Sequence, residues 1–68
     1  MLLHERIKEL RAEKQLTQKG LAEAIQVNAS IISKWELGRK RPVYEDLINL
    51  AKFFDVTTDY LLGIVDDF

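Results

Sequence analysis

Four cations crowd one short stretch of this 68-residue chain: Lys34, Arg39, Lys40 and Arg41 fall within eight positions whose one acid is Glu36. Just before them stand small side chains, Asn28, Ala29, Ser30 and Ser33, and further back Gln18 and Lys19. Guanidinium and ammonium groups at this density bind anions, phosphate above all. Amides and hydroxyls donate and accept directed hydrogen bonds. The chemistry on offer is recognition. Catalysis has nothing to assemble from, because the chain has one histidine, His4, no cysteine, no glycine-rich phosphate loop and no carboxylate pair with a pocket. The same inventory excludes disulfides and a zinc site, so no cofactor and no metal are expected.

Overall charge argues the other way at first sight, since ten Lys and Arg against eleven Asp and Glu leave a net charge of −1. Four of the acids, Asp55, Asp59, Asp66 and Asp67, lie in the last fourteen residues. Residues 1–54 keep ten basic against seven acidic groups, a net of +3. Screening confines each charge to a neighbourhood of ~8–10 Å at physiological salt, so a phosphate responds to the local field.

These residues need helices to position them. Apolar spacing and end signals predict five, and no stretch alternates with the period of a strand. The first runs from about Leu3 to Lys14, with Leu3, Ile7 and Leu10 on one stripe. The fourth runs from about Tyr44 to Phe54 on Leu47, Leu50, Ala51 and Phe54, preceded by Pro42. Gly38 ends the helix before that. The remaining three starts share one pattern: Leu16-Thr17 before Leu21, Val27-Asn28 before Ile32, and Val56-Thr57 before Leu61. Each is a capping side chain flanked by an apolar residue before it and another four positions after it. They place helices at about Gln18–Ile25, Ala29–Leu37 and Thr58–Leu62, the last stopped by Gly63. Gln26, Val27 and Asn28 alone separate the second helix from the third. Two short helices joined so tightly cross steeply, which is the helix-turn-helix unit, whose second helix enters a DNA major groove.

The segment from Leu16 to Gly38, with its Thr-Gln, Leu-Ala and Ile-Ser-Lys-Trp-Glu steps, closely resembles the Cro/CI-type (XRE-like) helix-turn-helix regulators of phage and bacteria. The likeness continues through Arg39-Lys40-Arg41-Pro42 and Val56-Thr57-Thr58-Asp59-Tyr60-Leu61-Leu62-Gly63, and covers about residues 3–63. It implies an all-α, compact five-helix, lambda-repressor-like domain over residues 1–63, with the helix-turn-helix at about 17–37 and a short apolar and acidic tail at 64–68. It further implies that Gln18 bonds a DNA phosphate and that Ala29, Ser30 and Lys34 meet base edges. The resemblance implies as well that Arg11 pairs with Glu36 and locks the pose of the recognition helix. Two positions depart from the family pattern. Gln26 stands where glycine is common because φ there tends to be positive. Gly20 stands where a glutamate usually completes the capping box of Thr17.

With Ile32 and Trp35 turned inward, the opposite face of the third helix presents Asn28, Ala29, Ser30, Ser33 and Lys34. Lys34 suits guanine O6 and N7, Ser30 either partner of a pair, and the Ala29 methyl a thymine methyl. Asn28 is first a cap and second a DNA contact. Arg39, Lys40 and Arg41 are expected to track phosphates, with Lys19 a further candidate. Ile31 has two readings, at the groove wall or covering the helix edge. His4 is expected to be exposed, and Trp35 to be core.

The expected partner is a double-stranded operator, bound by a homodimer because one unit reads half a palindromic site. Apolar residues beyond the core stripes, Tyr44, Ile48, Phe53, Ile64, Val65 and Phe68, suggest an interface through the fifth helix and tail. A protein-interaction module such as an antitoxin is the alternative reading, and a sensor domain beyond Gly63 is left open. Missing cysteines, an early-charged amino terminus and no apolar run near ~18–20 residues lead us to expect a cytoplasmic protein with no membrane contact.

Overall fold

The computed structural model describes residues 1–66, which form α1 (Leu3–Glu13), α2 (Gln18–Ile25), α3 (Ala29–Glu36), α4 (Tyr44–Phe54) and α5 (Thr58–Leu61), with no strand among them. Bounds agree with the sequence reading to within one residue at each end. None of these helices is long and apolar enough to cross a membrane.

The three capped starts form through side-chain bonds. Thr17 Oγ1 accepts from the Gly20 N–H at 2.9 Å, Asn28 Oδ1 from Ser30 at 2.9 Å, and Thr57 Oγ1 from Tyr60 at 3.1 Å. The apolar residue four positions after each cap, Leu21, Ile32 and Leu61, is wholly buried. Each cap therefore also aims a core side chain. α4 has no side-chain cap. Buried Pro42 holds its entry, and Glu45 and Asp46 in its first turn complement the helix dipole.

All five helices end alike, on a residue in the left-handed region: Gln15, Gln26, Gly38, Asp55 and Gly63, at φ between 56° and 80°. The chain then folds back, and the next N–H reaches a carbonyl of the last turn. Val27 N–H donates to Ala22 O at 2.9 Å, Arg39 to Lys34 at 2.9 Å and Val56 to Ala51 at 3.0 Å. This is the Schellman arrangement. It suits Gly63, where a side chain would run into the Met1 carbonyl. A non-glycine residue is strained there by roughly 1–2 kcal/mol.

Leu10, Ile25, Leu50, Phe54 and Tyr60 join the staple residues in one core around Trp35, which is 2% exposed. α3 packs on α1 and α2, α4 on α2, and α5 on α4 and α1. Ile31 covers the core edge, half-buried. Arg6 is the polar residue the stripe reading missed. It is 4% exposed, with its guanidinium 3.7 Å above the Tyr60 ring. Its position gave a signal, falling three after Leu3 and four before Leu10. The expectation for His4 is corrected: it is half-buried, with its ring laid against Gly38.

One ion pair ties the first helix to the third. Arg11 Nε donates to Glu36 Oε2 at 2.6 Å and Nη2 to Oε1 at 3.0 Å, while Nη1 reaches the Leu16 carbonyl at 2.7 Å. The Glu36 side chain is 4% exposed and that of Arg11 16%. The hydrogen bond to Glu36 raises the Arg11 pKa despite the burial that opposes its charge.

Gln26→Gly should relieve the left-handed strain and stabilise the domain by about 1 kcal/mol, raising Tm by roughly 4–8 °C in thermal unfolding. A lower Tm would contradict the strain argument. Arg11→Met leaves a buried carboxylate without its partner, at a cost of ~3–5 kcal/mol. That equals the whole margin of a domain this small, so circular dichroism should find the variant mostly unfolded at 37 °C. A loss of only a few degrees in Tm would show the pair to be dispensable.

Candidate nucleic-acid interface

α3 has a sharp division between its two faces. Ile32 and Trp35 are buried in the core and Glu36 is held by Arg11, so the helix is fixed from three inward positions. Its other face carries Asn28, Ser30 and Lys34, all exposed, with Ala29 and Ser33 half-buried beside them. Ala29 rests against the core cluster, which leaves part of its methyl to the outer surface. A face of short side chains lets the helix backbone approach a partner closely.

The basic loop is folded onto the end of this helix. Both Arg39 N–H and Lys40 N–H donate to the Lys34 carbonyl, at 2.9 and 3.4 Å. Arg39, Lys40 and Arg41 are exposed, and none of them pairs with a carboxylate among the described residues. The carboxyl end of a helix dipole favours positive charge, so the concentration of cations here costs less than their mutual repulsion suggests. Lys19 is exposed on the first turn of α2.

Gln18 is placed differently from a freely exposed first-turn residue. It is half-buried, and its Nε2 donates to Glu36 Oε1 at 3.1 Å. One carboxylate thus receives Arg11 from α1 and Gln18 from α2, and all three helices of the site meet at Glu36. The side-chain bond between Ser30 Oγ and Asn28 Oδ1, at 2.9 Å, is also new relative to the sequence. Its signal was a cap with a serine two positions on, where a hydroxyl can reach back to the capping oxygen.

The apolar residues expected at an interface divide. Tyr44 and Ile64 are exposed, at 71% and 68%. Phe53 and Val65 pack against the protein's own core and Ile48 is half-buried. The Phe53 ring lies edge-on to Phe54 with 5.2 Å between centroids. Phe68 lies outside the described residues. Exposure instead extends to Leu2, Leu37, Val43 and Leu62, which helix-stripe reasoning had passed over. Among the described residues no group of His, Cys, Asp and Glu side chains forms a metal site.

Known proteins share this architecture. A family model described as a helix-turn-helix domain matches residues 4–66. The chain is 34% identical to the P22 c2 repressor in a structure with a synthetic operator, covering 91% of this chain and 94% of that one with a TM-score of 0.86. It is 27% identical to a restriction-modification controller protein from Aeromonas hydrophila, covering 87% of this chain and 89% of that one at a TM-score of 0.80. Among curated relatives, it is 47% identical over 93% of its length to the HTH-type transcriptional activator BcrR of Enterococcus faecalis. It is 38% identical, also over 93%, to the uncharacterized HTH-type transcriptional regulator YobD of Bacillus subtilis. The chain spans 31% and 56% of the lengths of these two relatives. With its five helices, its inward-locked α3 and this family match, the chain belongs to the helix-turn-helix domain family, of the Cro/CI type, whose architecture is that of DNA-binding transcription regulators and not of an enzyme.

Proposed function

We propose that this domain is a sequence-specific repressor module that lays α3 into the major groove of an operator. The observation that carries the reading is the outward face of α3, small and polar from Asn28 to Lys34, next to a loop of three exposed cations. A helix N-terminus with short side chains suits contact with base edges, and the loop suits the flanking backbone. Lys34 donates to guanine, and Ala29 packs on a thymine methyl. Ser33, lower on the face and half-buried, serves the groove wall. The backbone is gripped by Arg39, Lys40 and Arg41, with Lys19 adding to the field. Gln18 keeps one amide proton for a phosphate while the other stays on Glu36, and the opening turn of α2 supports the anion. The P22 c2 repressor, a structural relative solved with a synthetic operator, supports operator DNA as the partner.

The proposed active form is a homodimer on two-fold symmetric DNA. Exposed Tyr44, Leu62 and Ile64 offer apolar surface to a second copy, and burying them offsets the small core of a single domain.

Selection of bound duplexes from a random pool tests the reading. The expected sites are two-fold symmetric, with half-site centres about one helical turn, ~10 base pairs, apart. A pool with no enrichment over random sequence would remove the proposal and favour a protein ligand. Replacing Arg39, Lys40 and Arg41 together by alanine should lower the salt slope of binding by about 2.7 in log–log terms, at ~0.9 per phosphate contact, with helicity unchanged. An unaltered slope would take the loop out of the interface.

A further inference from the structure

The cap of α3 is also the leading tip of its outer face, and its protons have one arrangement. Asn28 Oδ1 accepts two hydrogen bonds at 2.9 Å, one from the Ser30 backbone N–H and one from the Ser30 hydroxyl. The first bond determines the second. A backbone N–H only donates, so the amide atom that meets it is the oxygen and not the nitrogen. That oxygen only accepts, so its contact with Ser30 Oγ uses the single hydroxyl proton. Ser30, although exposed, is left with lone pairs and no proton to give. The usual ambivalence of serine, which can donate to one base or accept from another, is removed by its neighbour.

We infer that Ser30 is an acceptor-only reader, selecting base edges that carry an exocyclic amine in the major groove, N6 of adenine or N4 of cytosine. It discriminates against guanine and thymine, whose hydrogen-bonding groups there are acceptors. Two lone-pair sites facing each other gain nothing, and releasing the proton to meet them breaks the bond to the capping oxygen. This inference rests on the reading of α3 as the major-groove helix. It narrows that reading at one residue, from either partner of a base pair to one chemical class. Asn28 acts here as a positioning residue, since it sets the polarity of Ser30 through the cap.

The test has one arm without DNA and one with it. In the free protein, three-bond Hα–Hβ couplings should show Ser30 in a single χ1 rotamer. Asn28→Asp, which keeps an acceptor, should preserve that rotamer, and Asn28→Ala should release it to averaging. Averaging in the wild type would overturn the inference before any duplex is added. In the second arm, duplexes are selected with the wild type and with Ser30→Ala, and the position whose preference relaxes in the variant is the one Ser30 reads. At any pair one strand carries adenine or cytosine, and that base holds the amine to be tested. Replacing it with purine or pyrimidin-2-one, which lack the amine, should weaken wild-type binding about fivefold to tenfold and leave Ser30→Ala unchanged. An equal loss in both proteins, no loss in the wild type, or no relaxed position would overturn the role of Ser30 while leaving the module a DNA reader. Failure of both proteins to select any duplex would instead overturn the proposed function, and the inference with it.

Discussion

Glu36 stands at the inner end of α3 with 4% of its side chain exposed, a carboxylate that water scarcely reaches. A buried charge is costly unless its lone pairs are met. Here they are met by two Arg11 nitrogens from α1 and by the Gln18 amide from α2. The geometry of the outer surface follows from that inner requirement. If α3 rotated about its axis or slid along α2, the carboxylate would lose donors before the outward residues moved far. Hydrophobic contacts at Ile32 and Trp35 hold the helix down, but they are not directional. The ion pair supplies the direction.

A domain of 68 residues with no cysteine has little stability to give away. Three of its five helix ends nonetheless place Gln15, Gln26 and Asp55 in the left-handed region. The strain is local, whereas the fold-back that it permits lets consecutive short helices pack with only a few residues between them. The stapled caps act in the same sense at the opposite helix ends, since Leu21, Ile32 and Leu61 are each buried by the turn that starts their helix. Short elements that mark both their start and their stop need few alternative registers to be excluded. Arg6 follows a different rule. Its guanidinium meets the face of Tyr60, an attraction that joins α1 to α5, and lies 3.8 Å from the Glu9 carboxylate on its own helix.

Much of this was legible in the residues, for reasons that can be named. Helix starts were readable because capping uses specific side chains, Thr17, Asn28 and Thr57, at fixed distances from apolar ones. The helix stops at Gly38 and Gly63 were readable because glycine announces positive φ. Those at Gln15 and Asp55 were not, since neither residue type demands that conformation and only the returning N–H of Leu16 and Val56 imposes it. The outer face of α3 could be deduced from the inward spacing of Ile32 and Trp35. What spacing could not disclose was contact between residues far apart in the chain: the ring of His4 on Gly38, or Gln18 drawn to Glu36. Exposure of Leu37 and Val43 escaped for a related reason. Both flank the loop between α3 and α4, where helical periodicity has no authority.

The preset pose of α3 makes a demand on the unbound protein, because a helix locked from within should not reorient on binding DNA. Residual dipolar couplings of the α3 amides, measured free and on a selected duplex, give its orientation relative to α1 in both states. A preset α3 keeps the same interhelical orientation to within roughly 10°, the tolerance of a preorganised site. A larger rotation of α3 against α1 on binding, with Arg11 and Glu36 parting, would contradict it.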